Sequence, residues 1–290
     1  MPLTSTTRVL LTGAGAQLAG AIRARFDGHC ALTAVTRQEC DITSTADVSR
    51  VTSAVRPDVI INCASYNDVD GAERDPRAAL AANGLALAVL ADAATRDDAV
   101  LLHYSTDFVF DPVVDPGPLP EDAPTSPRSI YAQSKLLGEI LAKRTVKHYV
   151  LRVASLFGGG RARSSLDRIA AAIRRGDTVK AFANRTVTPS YVPDLADAAA
   201  ALLAGDVPFG LYHCVNSGHG TWVDVARAIA VESGVDPDRA VAPVPFDPEA
   251  FPARRPTYAA LSNAALATHG VTLPPWRDAI ARFVRTLPPA

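Results

Sequence analysis

Residues Leu11–Gly20 read "LTGAGAQLAG". Whether this stretch is a phosphate-gripping turn or only a small-residue helix start decides how the rest of the chain is read. A dinucleotide loop uses one glycine to turn sharply out of a strand, a second to let the backbone approach a pyrophosphate, and a third where helix packs on strand. "RVLLT" at 8–12 has strand character, and Gly13 follows it directly. Leu18, Ile22 and Phe26 then recur every four residues, as one face of a helix requires. This context favours a cofactor turn, with backbone N–H groups and a helix N-terminus facing the phosphates. Ala16 and Ala19 occupy two of the expected glycine positions and add one methyl each, so on spacing alone a plain strand–helix turn stays open.

Outward from the loop, strand-like runs at 31–35, 58–63, 100–105 and 148–153 alternate with helical patterns at 45–55, 76–95 and 129–144. That alternation predicts an α/β fold, a Rossmann-type doubly wound parallel sheet whose ligand lies at the carboxyl ends of the strands. Residues 1–155 are expected to form this nucleotide-binding domain. Residues 156–290 are expected to form a smaller, mostly C-terminal α/β substrate-binding region, with a segment near 178–215 returning to the main sheet. Its helices are expected near 164–175, 194–204, 221–233, 262–268 and 276–286; Thr221 with Asp224 resembles a capping box, and Gly234 fits a C-terminal cap. The proline-stiffened loop at 111–127 is long enough to suggest a functional segment.

With 48% hydrophobic residues in 290, the chain can bury a substantial core. Its 29 basic and 30 acidic residues leave a formal charge of -1, so no global field attracts nucleic acid or an anionic membrane, and neither is an expected partner. The N-terminus lacks the pattern of a secretory signal, and the apolar run at 78–94 is broken by Asn83 and Asp92, which points to a soluble cytoplasmic protein. Cys30, Cys40, Cys63 and Cys214 have no metal-binding spacing and read as buried thiols; no metal site is expected.

The chemistry-bearing residues sit at strand ends. After the second strand, "AVTRQECDIT" offers Arg37 where an acid would hold an NAD ribose; a guanidinium suits a 2′-phosphate and favours NADPH, with an unliganded surface arginine as the alternative. "YAQSK" puts Tyr131 and Lys135 on one helix face. A phenol of pKa about 10 needs a nearby cation to act as an acid or base at neutral pH. "STDFVF" brings Ser105, Thr106 and Asp107 out at the end of the fourth strand, where the cofactor is expected.

In order along the chain, "TGAGAQLAG", "CDIT", "RPDVIINCASYNDVDGAE", "STDFVF", "YAQSK", "LRVASLFG" and "TPSYVPDLA" resemble the motifs of the extended short-chain dehydrogenase/reductases, and within them the dTDP-4-dehydrorhamnose reductase group. "GLYHCVNSGHGTWVDVARAI" and "LPPWRDAI" extend the resemblance over nearly the whole chain. It implies NADPH, with NADH as the second cofactor to compare, reducing a nucleotide-linked 4-keto-6-deoxyhexose. Tyr131 would donate the proton, Lys135 would lower the phenol's pKa and hold the nicotinamide ribose, and Thr106 would bind the carbonyl oxygen. Gly13, Ala16, Gln17, Leu18, Arg37, Asp41, Ile42, Cys63, Ala64, Ser65 and Tyr104 would accompany the cofactor. Asp107, Ser155 and Arg185 would face the sugar together with Thr106. Asp41 has an equal reading as a cap for the following helix. Relatives in the group form dimers, so a homodimer is the implied assembly. The chain departs from the group at Ala16, at Phe108 where a Tyr is usual, and at Ser155 where a substrate-side Trp is usual. The regulatory beta subunit of methionine adenosyltransferase shares the fold and many motifs, which makes a non-catalytic NADP-binding subunit the competing reading.

Overall fold

Val9–Thr12 and Val59–Asn62 are buried on both faces, as is all but the first residue of Val100–Thr106, which is the mark of strands covered by helices on each side. The computed structural model describes residues 3–111, 117–160 and 164–288. The chain begins β1 (Arg8–Thr12), α1 (Gln17–Phe26), β2 (Ala31–Val35), α2 (Thr45–Val55), β3 (Val59–Asn62) and α3 (Val69–Arg74). A long helix follows as α4 (Pro76–Ala79), a π-helical turn (Leu80–Leu85) and α5 (Ala86–Arg96), then β4 (Val100–Thr106), α6 (Ile130–Ala142) and β5 (His148–Val153). The second half adds β6 (Leu156–Phe157), α7 (Ser165–Arg174), β7 (Val179–Phe182), β8 (Thr186–Val187), β9 (Ser190–Tyr191), α8 (Val192–Ala204) and β10 (Gly210–His213). It closes with β11 (Gly220–Thr221), α9 (Trp222–Glu232), α10 (Pro237–Ala240), β12 (Val241–Val244), β13 (Tyr258–Ala259), α11 (Ala264–Thr268) and α12 (Trp276–Thr286).

The main sheet is parallel, in the order β10-β5-β4-β3-β1-β2. Its direction of winding reverses between β1 and β3, which opens a crevice at their carboxyl ends. Period-two alternation divides the apolar side chains between the two faces. Val9, Leu11 and Ile61 pack with Leu18, Ile22 and Phe26 of α1 and Leu195 and Leu202 of α8. Leu10, Ile60 and Leu101 pack instead with Val48 and Val51 of α2 and Leu87 and Leu90 of α5. A separate core built on Phe157, Trp222, Trp276, Ile280 and Phe283 holds the second unit. Burying each such side chain contributes about 1.5–3 kcal/mol.

Within the segment 178–215, α8 and β10 lie on the main sheet, whereas β7 pairs with β12 and β8 with β11 and β13. The expected caps form at α9: Thr221 accepts from the Asp224 N–H at 3.2 Å, Asp224 accepts from the Thr221 N–H at 2.8 Å, and Gly234 has φ +72°. The expected helix at 76–95 is present as Pro76–Arg96 and contains the π turn, and α3 adds a short helix beyond the expected ones. Pro76–Arg96 is long and apolar enough to cross a membrane, but half of its most apolar window is buried inside the protein, as in a core helix. Of the loop at 111–127, residues 112–116 lie outside the described residues. Its later part is tied down by the Ser126 N–H donating to Val109 O at 2.8 Å and by Leu119 bridging to Leu261.

Candidate active site

Where the winding reverses, Gly13 turns out of β1 with φ +71°, a conformation in which side chains are strained. A Cβ there would lie 2.4 Å from the Ala64 backbone nitrogen, so the glycine is also needed for two chain segments to cross. α1 begins at Gln17 with no side-chain cap on its N-terminus, and Ala16 is extended before it. Backbone N–H groups of a helix start therefore face the crevice without an internal acceptor side chain, which suits a pyrophosphate. The opening stretch is a strand–turn–helix, and the methyl of Ala16 is accommodated at the crevice wall.

The crevice is a cleft of about 500 Å³, in the range of small-ligand sites. Ala16, Gln17, Leu18, Cys63, Ala64, Ser65, Tyr104, Thr106, Asp107, Tyr131, Lys135, Ser155 and Arg185 all line it, so three strand ends, α6 and the second unit meet at one place. Gly13 is not among the lining residues but crosses against Ala64, which is. Arg37, Asp41 and Ile42 are outside it: Arg37 is 85% exposed and bonds Asp41 at 3.3 Å, and Ile42 is buried in the sheet–helix core. Asp41 does not cap α2. It accepts from Thr43 N–H at 2.9 Å and Thr43 Oγ1 at 2.7 Å, while Ser44 caps the helix.

The Tyr131/Lys135 helix is set in place at its first turn. Ser129 accepts from Ala132 N–H at 3.2 Å, and Glu73 of α3 accepts from Ile130 N–H at 2.8 Å. Burial pushes the Tyr131 phenol up to about 12; a hydrogen bond with Thr106 opposes this and the Asp107 carboxylate adds to it. The ring meets Phe108 edge-on at 5.9 Å. Lys135 is brought down to about 8 by burial, against the pull of Glu139, and its Nζ donates to Tyr104 O at 2.5 Å. Lys135 shares a helix face with Tyr131 as expected, but its ammonium is directed to a β4 carbonyl and is not among the groups that shift the phenol. Burial raises Asp107 to about 6, with the Thr106 hydroxyl, 3.0 Å away, and Arg185 opposing it. Arg185 itself is lowered to about 10 by burial; its Nε donates to Pro256 O at 3.2 Å. Cys63, raised to about 12 by burial, is an unreactive wall thiol.

Sequence reading missed Asn62, Asn67, Ser165, Arg168, Trp222 and Arg255 of the lining. Asn62 carried a signal: it is a polar residue at the end of an otherwise apolar central strand, 1% exposed, and it accepts from Thr12 Oγ1 at 2.6 Å. Also missed was Asn83 in the π turn. Its Oδ1 accepts from Ser65 Oγ and Tyr66 N–H, both at 2.8 Å, and its Nδ2 donates to Tyr66 O and Ser134 Oγ, both at 3.0 Å. Ser134 in turn donates to Tyr131 O at 2.7 Å. One side chain thus ties the wall carrying Ser65 to the helix carrying Tyr131 and Lys135.

A doubly wound parallel sheet with a glycine turn and uncapped helix at its switch point, and a Tyr/Lys pair on the adjacent helix, defines a nucleotide-binding oxidoreductase of the short-chain dehydrogenase/reductase type. The family model described as RmlD substrate binding domain matches residues 7–288, and the chain belongs to that family. It is 37% identical over 282 residues to a dTDP-4-dehydrorhamnose reductase of Mycolicibacterium smegmatis, covering 94% of this chain and 84% of that one. It is 34% identical over 274 residues to a dTDP-4-keto-6-deoxy-D-glucose reductase of Streptomyces niveus, covering 92% of each. Among solved structures, a dTDP-4-dehydrorhamnose reductase from Bacillus anthracis in complex with NADP superposes with a TM-score of 0.89 at 27% identity, over 97% of this chain and 100% of that one.

Proposed function

We propose that this protein reduces the 4-keto group of a nucleotide-linked, dTDP-type 4-keto-6-deoxyhexose with NADPH. The convergence of Thr106, Tyr131 and Lys135 on one cleft beside the glycine turn carries this reading. NADPH fits the observed cradle: the uncapped start of α1 and the Gly13 crossing would hold its phosphates, and Cys63, Ala64, Ser65 and Tyr104 would line it. When bound, NADPH supplies the hydride to the carbonyl carbon. Tyr131 gives its proton to the carbonyl oxygen, Thr106 hydrogen-bonds that oxygen as charge develops, and Lys135 holds the ribose. Asp107 and Arg185 form a buried charged wall for the sugar side. A homodimer is the assembly to test.

The test is NADPH oxidation with a panel of dTDP-4-keto-6-deoxy sugars. Turnover of at least one is expected; tight NADPH binding with no turnover of any would instead support a non-catalytic cofactor-binding subunit. Arg37 gives a second, smaller test. A charge-assisted phosphate contact is worth roughly ten- to hundred-fold, and at 85% exposure the lower end applies, so Arg37→Ala should reduce the preference for NADPH over NADH by about tenfold. An unchanged preference would remove Arg37 from the cofactor site.

Ser155 bears on which sugar is taken. It lines the cleft in a left-handed conformation, φ +44°, with its carbonyl accepting from Ser190 N–H at 3.3 Å. An indole at this position would fill space that a hydroxymethyl leaves to the ligand. The wild type is therefore expected to reduce a modified 4-keto deoxysugar better than the rhamnose precursor, and Ser155→Trp to reverse that order. Comparing two substrates within each protein cancels backbone strain from the larger residue. A wild-type preference for the rhamnose precursor of more than about tenfold in kcat/KM, some 1.4 kcal/mol, ends the wider-pocket idea.

A further inference from the structure

His103 lies in the middle of β4, 1% exposed, and the mechanism makes no use of it. Its tautomer follows from its neighbours. Asn62 Oδ1 accepts from Thr12 Oγ1 at 2.6 Å and from Ala64 N–H at 3.1 Å, so the Asn62 amide nitrogen is the end that faces His103 Nδ1, at 3.1 Å. An NH₂ group donates, so Nδ1 accepts and the ring proton sits on Nε2. Burial, with the Lys135 ammonium adding to it, holds the ring well below its ordinary pKa, so it is neutral. Nε2–H is then a fully buried donor with no partner among the described residues. Such a group is costly in a native interior and calls for an acceptor or a water.

Its surroundings are specific. Gly138 of α6 faces the π turn, and a Cβ built on it would lie 2.2 Å from the Asn83 carbonyl oxygen and 3.5 Å from His103 Nε2. The orphan donor and the Asn83 carbonyl therefore border one small junction between β4, α6 and the π turn without bonding each other directly, and a bridging water is the group that would satisfy both. Glycine at 138 is what allows α6 to approach that carbonyl.

We propose that His103 is a positioning residue for the reaction: through one buried water it restrains the Asn83 carbonyl, and so fixes the π turn whose Asn83 side chain ties the Ser65–Tyr66 wall to the Tyr131–Lys135 helix. Thr12, Asn62 and His103 form a polar line from β1 across β3 to β4, linking the cofactor turn to the catalytic helix from beneath the cleft. The inference rests on the ketoreductase reading for its effect on turnover, but not for its effect on cofactor affinity.

The test uses the full chain with NADPH bound. A crystal structure of this complex should show one ordered water within hydrogen-bond distance of both His103 Nε2 and Asn83 O, and ¹⁵N NMR near neutral pH should find the neutral Nε2–H tautomer. No such water, an Nδ1–H tautomer or a charged ring overturns the proposal, and none of these readings depends on a variant folding. His103→Phe keeps a ring but loses the donor, and should weaken NADPH binding and slow turnover about fivefold each, whereas His103→Gln, which carries an amide N–H at a similar reach, should recover both to within about twofold. If the two variants lose the same thermal stability but His103→Phe keeps wild-type affinity and turnover, or if His103→Gln is as impaired as His103→Phe, the residue is merely structural. If no sugar in the panel is turned over, the ketoreductase reading fails while the NADPH-affinity comparison still decides this one.

Discussion

Tyr131→Phe is expected to slow sugar reduction by about 10²-fold or more while leaving NADPH affinity within about twofold. The substitution deletes one oxygen and keeps the ring that meets Phe108 at 5.9 Å, so the shape of the cleft is preserved. What disappears is the proton that the alkoxide must receive. Burial holds the phenol up at about 12, so Tyr131 stays protonated throughout the neutral range and is loaded as an acid. The same burial makes it a reluctant donor on its own. Its acidity has to be raised at the moment of reaction by the Thr106 hydroxyl, which already pulls the value down, and by positive charge that arrives with the ligands. Single-turnover NADPH oxidation separates the chemical step from product release. A Tyr131→Phe rate near that of the wild type would remove Tyr131 from the chemistry and leave Thr106 and the Lys135 ammonium as the proton-bearing groups at the cleft.

Much of this site was legible because its chemistry is tied to strand ends. β1, β2 and β5 match the expected runs at 8–12, 31–35 and 148–153, since apolar runs of strand length between helical periods have few other solutions. Gly13 could be read because a sharp exit from β1 and a close crossing with Ala64 both exclude a side chain. The far wall of the cleft was opaque for the opposite reason. Arg168, Trp222 and Arg255 reach it from separate segments of the second unit, and β6, β8, β9, β11 and β13 are two-residue strands with no periodicity to detect. Asn83 looked like a polar break in an apolar run; the π turn that holds it is stabilised by hydrogen bonds to Ser65, Tyr66 and Ser134, which are tertiary contacts invisible to local propensity. Spacing put Lys135 and Tyr131 on one helix face, and both line the cleft, but it could not tell that the ammonium turns to Tyr104 O, because side-chain direction depends on which acceptor is within reach.

That direction shapes what Lys135→Met should do. One side chain is asked to hold the cofactor ribose and to supply positive charge near Tyr131, so its removal is expected to lower turnover by about 10²-fold and to weaken NADPH binding as well. Stability should move the other way. The Lys135 ammonium is buried with one short hydrogen bond, and burial lowers its folded pKa from 10.5 to about 8. At neutral pH the charged form persists in both folded and unfolded chains, so the folded state carries the full cost of desolvating it, a cost that methionine of similar length avoids. Lys135→Met should therefore melt at a higher temperature than the wild type near pH 7. Between about 8 and 10.5 the unfolded chain keeps a proton that the folded chain has released, so wild-type stability rises with pH relative to the variant, and the gap should close across that window. Thermal melts of both proteins from pH 7 to 10.5, alongside NADPH titrations, read all three effects. A variant that binds NADPH normally and loses only turnover would mean that Lys135 does not hold the ribose; a variant less stable than the wild type near pH 7 would mean that its bond to Tyr104 outweighs the burial of its charge.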